Sequence, residues 1–131
     1  MQIALIAQDD KKELMTQLSI AYCGILSKHR LCATAATARV ISEATGLSIE
    51  PMLSGSQGGI QQIASRIAYG EIDILLYFRS VNAMEGYDQN DSDLIRLCDT
   101  YNLPLATNLA TAEAIILALD RGDLDWRENI R

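Results

Sequence analysis

The amino-acid sequence predicts an α/β fold: a doubly wound, three-layer domain around a five-stranded parallel sheet. Two observations carry this. Short β-type runs alternate with helix-type runs along the whole chain, the order from which right-handed crossovers build a parallel sheet. Ile72 to Phe78 is moreover an almost unbroken apolar run, with only Asp73 inside it, as expected of a central strand covered on both faces.

Gln2 to Ala7 is the first strand-like run. Gln8-Asp9-Asp10 breaks it, and a helix-like stretch follows from Lys11 to about Ile25. Leu31 to Ala33 leads into a second helix, Thr37 to Thr45, which stops at Gly46. Ser48 to Leu53 leads through Ser54-Gly55-Ser56-Gln57-Gly58-Gly59 into a third helix, Ile60 to Tyr69, with Gly70 as its stop. After Ile72 to Phe78 a long polar loop carries the chain to a helix at about Asp91 to Tyr101, and Leu103 to Ala106 forms a short fifth strand. Ala110 to Leu119 has apolar residues in helical spacing, Gly122 ends it, and Leu124 to Arg131 is a short C-terminal piece.

At 131 residues and 49% hydrophobic, with no Gly-, Ser- or Pro-rich stretch to serve as a linker, residues 1–131 are expected to form one domain. The net charge of -6 repels phosphate backbones and anionic membranes, so neither nucleic acid nor a membrane is an expected partner. No run is long enough to span a bilayer and the N-terminus has no basic signal-peptide region, which predicts a cytoplasmic protein. Cys23, Cys32 and Cys98 sit apart among apolar neighbours and read as small buried hydrophobes rather than a disulfide or metal set. His29, the one histidine, reads as a surface loop residue; no metal site is expected.

In parallel sheets ligands bind beyond the C-terminal strand ends, where loops meet helix N-termini. Three loops here suit an anion. After the second strand, Ala33-Thr34-Ala35-Ala36-Thr37-Ala38 combines small residues with two hydroxyls that can donate. After the third come Ser54-Gly55 and the Gly58-Gly59 pair. After the first, Lys12 lies in the opening turn of its helix, where a cation opposes the helix dipole unless something negative offsets it. A bound phosphate would do so.

Ile3-Ala4-Leu5-Ile6-Ala7, Ala33-Thr34, Ala44-Thr45-Gly46, Leu53-Ser54-Gly55 with Gly58-Gly59, Leu97-Cys98-Asp99, Pro104-Leu105-Ala106-Thr107-Asn108 and Gly122-Asp123-Leu124-Asp125 together resemble methylglyoxal synthases over essentially the whole chain, without gaps. The resemblance implies an enzyme fold that converts dihydroxyacetone phosphate to methylglyoxal and phosphate, requires no cofactor, and assembles as a homohexamer. It implies that Lys12, Thr34, Thr37, Ser54 and Gly55 stand at phosphate-binding positions, with Ala36 losing one hydroxyl.

Removing phosphate from a triose needs a carboxylate base and a positioned acid. Family members supply these through a histidine-aspartate pair after strand one, the aspartate of Gly-Gly-Asp, an Arg-Asp-Pro segment after strand four and a Pro-His-x-Pro-Asp loop. By resemblance Asp9 is the retained catalytic candidate, while Gln8, Ile60, Ser80, Tyr87 and Asn90 occupy the other catalytic positions. Groups that act together are not lost independently. The sequence therefore predicts a divergent family member that binds phosphate or a small phosphorylated metabolite, inactive or impaired in catalysis, in a regulatory role. The alternative is an active methylglyoxal synthase in which Asp9 works with Asp88 or Asp91 as substitute carboxylates. A third reading is different chemistry on another phosphorylated substrate, with Tyr77, Tyr87 or Arg79 lining a changed pocket.

Overall fold

Five strands, β1 (Gln2–Ala7), β2 (Arg30–Ala33), β3 (Ile49–Pro51), β4 (Ile74–Phe78) and β5 (Leu105–Ala106), form one sheet in the order β3-β2-β1-β4-β5. Every pairing is parallel. The computed structural model describes the backbone of residues 1–80 and 89–130 and the side chains of residues 1–80 and 92–130. Its α-helices are α1 (Lys12–Ala21), α2 (Cys23–Leu26), α3 (Ala35–Thr45), α4 (Gly59–Ala68), α5 (Gln89–Thr100) and α6 (Leu109–Asp120), with 3-10 turns at Asp9–Lys11, Gly55–Gln57 and Asp125–Ile130.

The strand period of two divides the core between the faces of the sheet. Ile3 and Leu5 of β1, with Ile74, Leu76 and Phe78 of β4, pack against Met15 and Leu18 of α1, Ile41 of α3 and Ile116 of α6. The alternate residues Ala4, Ile6, Leu75 and Tyr77 pack against Ile63 and Ile67 of α4 and against Leu94 and Cys98 of α5. Helices cover both faces, which is why the strands are apolar without alternation.

Several boundaries differ from the sequence reading, each for a local reason. The helix expected from Lys11 to Ile25 is broken at Tyr22, whose backbone leaves helical geometry and whose phenol donates to Glu113 of α6 at 2.9 Å. The strand expected from Ile72 starts at Ile74, because Asp73 is spent as a clamp: its N–H donates to the Gln2 carbonyl and its carboxylate accepts the Gln2 N–H, both at 2.8 Å. The C-terminal piece is a 3-10 turn anchored by Arg127, which donates to the Asn102 carbonyl at 2.6 Å and lies 3.8 Å from the buried Asp73 carboxylate. His29 is not a simple surface residue. It is half-buried, its Nδ1 stands 3.1 Å from the N-terminal amine, and desolvation lowers its pKa. Cys32 and Cys98 are buried, and burial pushes the Cys98 thiol up to about 11. Among the described residues no helix is long and apolar enough to cross a membrane.

From β1 the chain winds outward to β3, then returns to place β4 on the other side of β1. That reversal opens a crevice at the C-terminal ends of β1 and β4. The loop Leu53–Gly59 closes one wall of it by a near-contact of backbone on backbone. A Cβ built on Gly59 would lie 2.0 Å from the Leu53 carbonyl oxygen and 2.9 Å from that of Ser54. Gly58 before it adopts φ +102°, a left-handed conformation that suits glycine.

Replacing Gly59 by Ala should therefore force the loop away from the sheet and cost about 1–3 kcal/mol, the usual penalty of overpacking. Gly24→Ala, where nothing lies within 4 Å of an added Cβ, should be neutral or slightly stabilising. Urea denaturation of both variants checks this; an unchanged midpoint for Gly59→Ala would contradict the close approach.

Candidate functional site

The first residue after β1 remains tied to the sheet: the Gln8 N–H donates to the Phe78 carbonyl at 3.0 Å, and the Gln8 carbonyl accepts from the Lys11 N–H at 2.8 Å. The resulting 3-10 turn delivers Lys12 to the start of α1 beside the strand end. Its ammonium donates to the Ala7 carbonyl at 2.9 Å and to Asp9 Oδ1 at 2.8 Å. The Lys12 side chain is only 19% exposed, whereas that of Asp9 stands fully in solvent. The sequence leaves the Lys12 charge to be offset by a bound anion; in the structure Asp9 offsets it. The hydrogen bond from Lys12, reinforced by its charge, holds the Asp9 carboxyl below its ordinary pKa.

Around this pair lies a cavity of about 410 Å³. Ile6, Ala7, Gln8, Asp9 and Lys12 line it from the β1 side, Thr34 and Ala36 from the start of α3, Ser54, Gly55, Ser56 and Ile60 from the β3–α4 connection, and Tyr77 from β4. Thr34 and Ser54 both sit in extended backbone immediately before a helical turn, yet neither side chain caps the turn it precedes. Their hydroxyls turn instead to neighbouring hydroxyls, that of Thr34 donating to Thr37 Oγ1 at 3.3 Å and that of Ser54 lying 3.4 Å from that of Ser56. Of the N–H groups that open α3, that of Ala35 donates to the Leu53 carbonyl at 3.4 Å, which ties the helix start to the β3–α4 connection.

Thr37 departs from the expected set. It is 1% exposed and stands behind the cavity wall, its hydroxyl 3.3 Å from that of Thr34 and 3.4 Å from both the Ala7 N–H and the Ala7 carbonyl. Its part is to fix Thr34 against β1. Lys12, Thr34, Ser54 and Gly55 are brought together on the cavity itself, and Asp9 joins them. Ile60 also lines it, so the position where the resemblance implies a carboxylate presents an apolar side chain.

Ser80 is drawn to the β1 loop: its N–H donates to Gln8 Oε1 and its hydroxyl donates to Asp10 Oδ2 at 2.8 Å. Asp10 was no candidate in the sequence, where nothing distinguishes it from a solvated acidic residue. Of the residues named for the third reading, Tyr77 is fully buried and lines the cavity, while Arg79 is not among the lining residues. Tyr87 and Asp88 lie outside the described residues, and so do the side chains of Asn90 and Asp91. A larger hollow of about 980 Å³ at the opposite strand ends is lined by Met1, His29, Glu50 and Arg66 among others. Its Arg66 and Glu50 satisfy each other at 3.1 and 2.7 Å, and parallel sheets do not place their ligands at that end.

The family model of the MGS-like domain matches residues 19–107. A methylglyoxal synthase of Caldicellulosiruptor saccharolyticus is 56% identical over 98% of this chain and 91% of its own. One of Oceanobacillus iheyensis is 51% identical over 100% of this chain and 94% of its own. The crystal structure of a methylglyoxal synthase from Elizabethkingia anophelis NUHP1 superposes with a TM-score of 0.82 at 37% identity, covering 88% of this chain and 76% of that one. These relatives correct the expectation of a binding protein without catalysis. Proteins this similar over nearly their full length carry the enzyme's name, and the cavity keeps a carboxylate, a cation and hydroxyls together.

If Lys12 is what holds the Asp9 carboxyl down, Lys12→Met should return its pKa upward to the ordinary carboxylate range. Because the pKa is depressed in the folded state, the pair's contribution to stability is present above the unfolded pKa and fades as pH falls through the folded one. A carbon-detected NMR titration of the Asp9 side chain reads this directly. An unmoved midpoint in the variant would reject Lys12 as the cause.

Proposed function

Because the chain belongs to the MGS-like domain family, we propose that it is a working methylglyoxal synthase, releasing phosphate from dihydroxyacetone phosphate. One observation carries the reading: relatives 45% to 56% identical over at least 97% of this chain are named methylglyoxal synthase. The cavity's chemistry supports it.

An ammonium has three N–H donors, and Lys12 spends two on Ala7 and Asp9. The third is left for a phosphate oxygen, to be shared with the Ser54 hydroxyl and the backbone at Gly55, while Thr34, whose one hydroxyl proton goes to Thr37, shapes the wall beside them. In this reading Thr37 acts behind them by holding Thr34.

With the phosphate seated, Asp9 is the base that takes a proton from the hydroxymethyl carbon, and the released electron pair forms the double bond of an enediolate. The neighbouring hydroxyl then loses its proton as its oxygen becomes a carbonyl. The double bond shifts towards the phosphate-bearing carbon, whose C–O bond breaks with the electron pair leaving on phosphate. The enolate that remains takes a proton on its terminal carbon and becomes the methyl ketone. One of the two protons removed ends on that methyl group and the other on the phosphate. The phosphate also tunes the base: added negative charge beside Lys12 offsets the cation that depresses Asp9 and raises its affinity for a proton.

Release of methylglyoxal should exceed the non-enzymatic rate, and Asp9→Asn should lower kcat by about 10²–10⁴-fold, the range a positioned base supplies. Lys12→Met should raise KM by about tenfold or more, for loss of a charge-assisted contact. A colorimetric assay of the aldehyde on purified wild type and both variants decides the matter. Wild-type turnover at background would overturn the proposal.

A further inference from the structure

We infer that Gln8 is the neutral donor that holds the substrate's carbonyl oxygen as it becomes an enediolate, with Ser80 fixing the amide for that task. The inference rests on the reaction proposed above and adds a catalytic residue where the sequence reading found only the loss of a titrating group.

The case begins with orientation. A side-chain amide presents oxygen on one side and nitrogen on the other, and only its partners decide which is which. The Ser80 main-chain N–H can only donate, so the Gln8 atom that meets it is the oxygen. Nε2 is thereby turned away from Ser80, and among the described residues it has no partner. Gln8 and Asp9 both line the cavity, and the inference assigns the two N–H donors of the amide to the wall they share.

Position adds to this. The Gln8 backbone is held on both sides, by Phe78 through its N–H and by Lys11 through its carbonyl. The hydroxyl of Ser80, bonded to Asp10, holds the residue that in turn holds the amide. Such a donor is already aligned before charge develops on the substrate, the condition under which hydrogen bonds to an oxyanion contribute most. The apolar walls given by Ile6 and Ile60 strengthen a bond to a growing negative charge by limiting water's competition. Finally, an amide does not titrate, so the donor is present at every pH at which Asp9 is ionised.

A bracing role for Gln8, joining the β1 and β4 loops and nothing more, makes a different prediction. Gln8→Glu keeps an oxygen to accept from Ser80 but has no donor when ionised, and Gln8→Met has neither. If Gln8 is the donor, both variants lose about 10²–10³-fold in kcat, the cost of removing one such group. If it is only a brace, Gln8→Glu stays near wild type while Gln8→Met falls, and the inference is overturned.

Binding supplies an arm independent of turnover. Calorimetry should show wild type preferring 2-phosphoglycolate, whose carboxylate resembles an enediolate, to inorganic phosphate. That preference should shrink at least tenfold in Gln8→Met while affinity for inorganic phosphate changes less than threefold. Turnover retained in both variants removes the Gln8 role and leaves the synthase reading intact. Absence of turnover in wild type, with the preference present and lost in Gln8→Met, removes the synthase reading and leaves Gln8 as the donor. An equal preference in wild type and Gln8→Met overturns the inference.

Discussion

The parallel pairing of β1 with β4, running from Ile3 beside Ile74 to Ala7 beside Phe78, is the constraint from which the site is built. It lies where the sheet reverses its winding, the point at which a parallel sheet leaves a crevice beyond its strand ends. The last bond of the ladder runs from the Gln8 N–H to the Phe78 carbonyl, which carries sheet geometry one residue beyond the strand. Gln8, Asp9 and Lys12 inherit their positions from that bond. Thr37, fastened to both polar groups of Ala7, carries the same reference frame to α3 and through Thr34 to the cavity wall.

Electrostatics act within this frame against the charge of the molecule as a whole. A chain with a net charge of -6 repels an anion at long range, so any attraction must be short-ranged and local. In the proposed reading Lys12 provides it at modest cost in desolvation, because its ammonium is covered by partners that are themselves polar, the Ala7 carbonyl and the Asp9 carboxylate. The same bond favours the ionised form of Asp9, which in the proposed reaction lowers its strength as a base. An arriving dianion changes the balance around one ammonium. In the proposed reaction, binding of the phosphate and the strength of the base are therefore linked through Lys12.

Much of this was legible in the residues. Alternating runs and the apolar stretch before Phe78 place five strands and the site-forming loops, because burial on both faces leaves a simple signature in composition. Lys12, Thr34, Ser54 and Gly55 were found by their position after strands, and the structure brings them to one cavity. What could not be read depends on contacts between distant segments. The break at Tyr22 follows its bond to Glu113, the late start of β4 follows the Asp73 clamp on Gln2, and the retreat of Thr37 behind the wall follows its bonds to Ala7. None of these has a periodicity or a local motif.

The functional error had a different origin. Counting histidines and carboxylates treats titration as the measure of catalytic capacity, and on that count Gln8, Ile60 and Ser80 register only as losses. Proton transfer from carbon requires one base of suitable strength; the charge left behind requires only donors that are already in place, and these need not titrate. A main-chain N–H at Ser80 that orients an amide at Gln8 meets the second need with two groups that a search for ionisable residues passes over. Ile60 likewise reads as a missing acid in the sequence, yet in the cavity it is an apolar wall across which a hydrogen bond to an oxyanion is less diluted by water. The chemistry that a position permits is set by what its neighbours do with it, and that is decided where β1 meets β4.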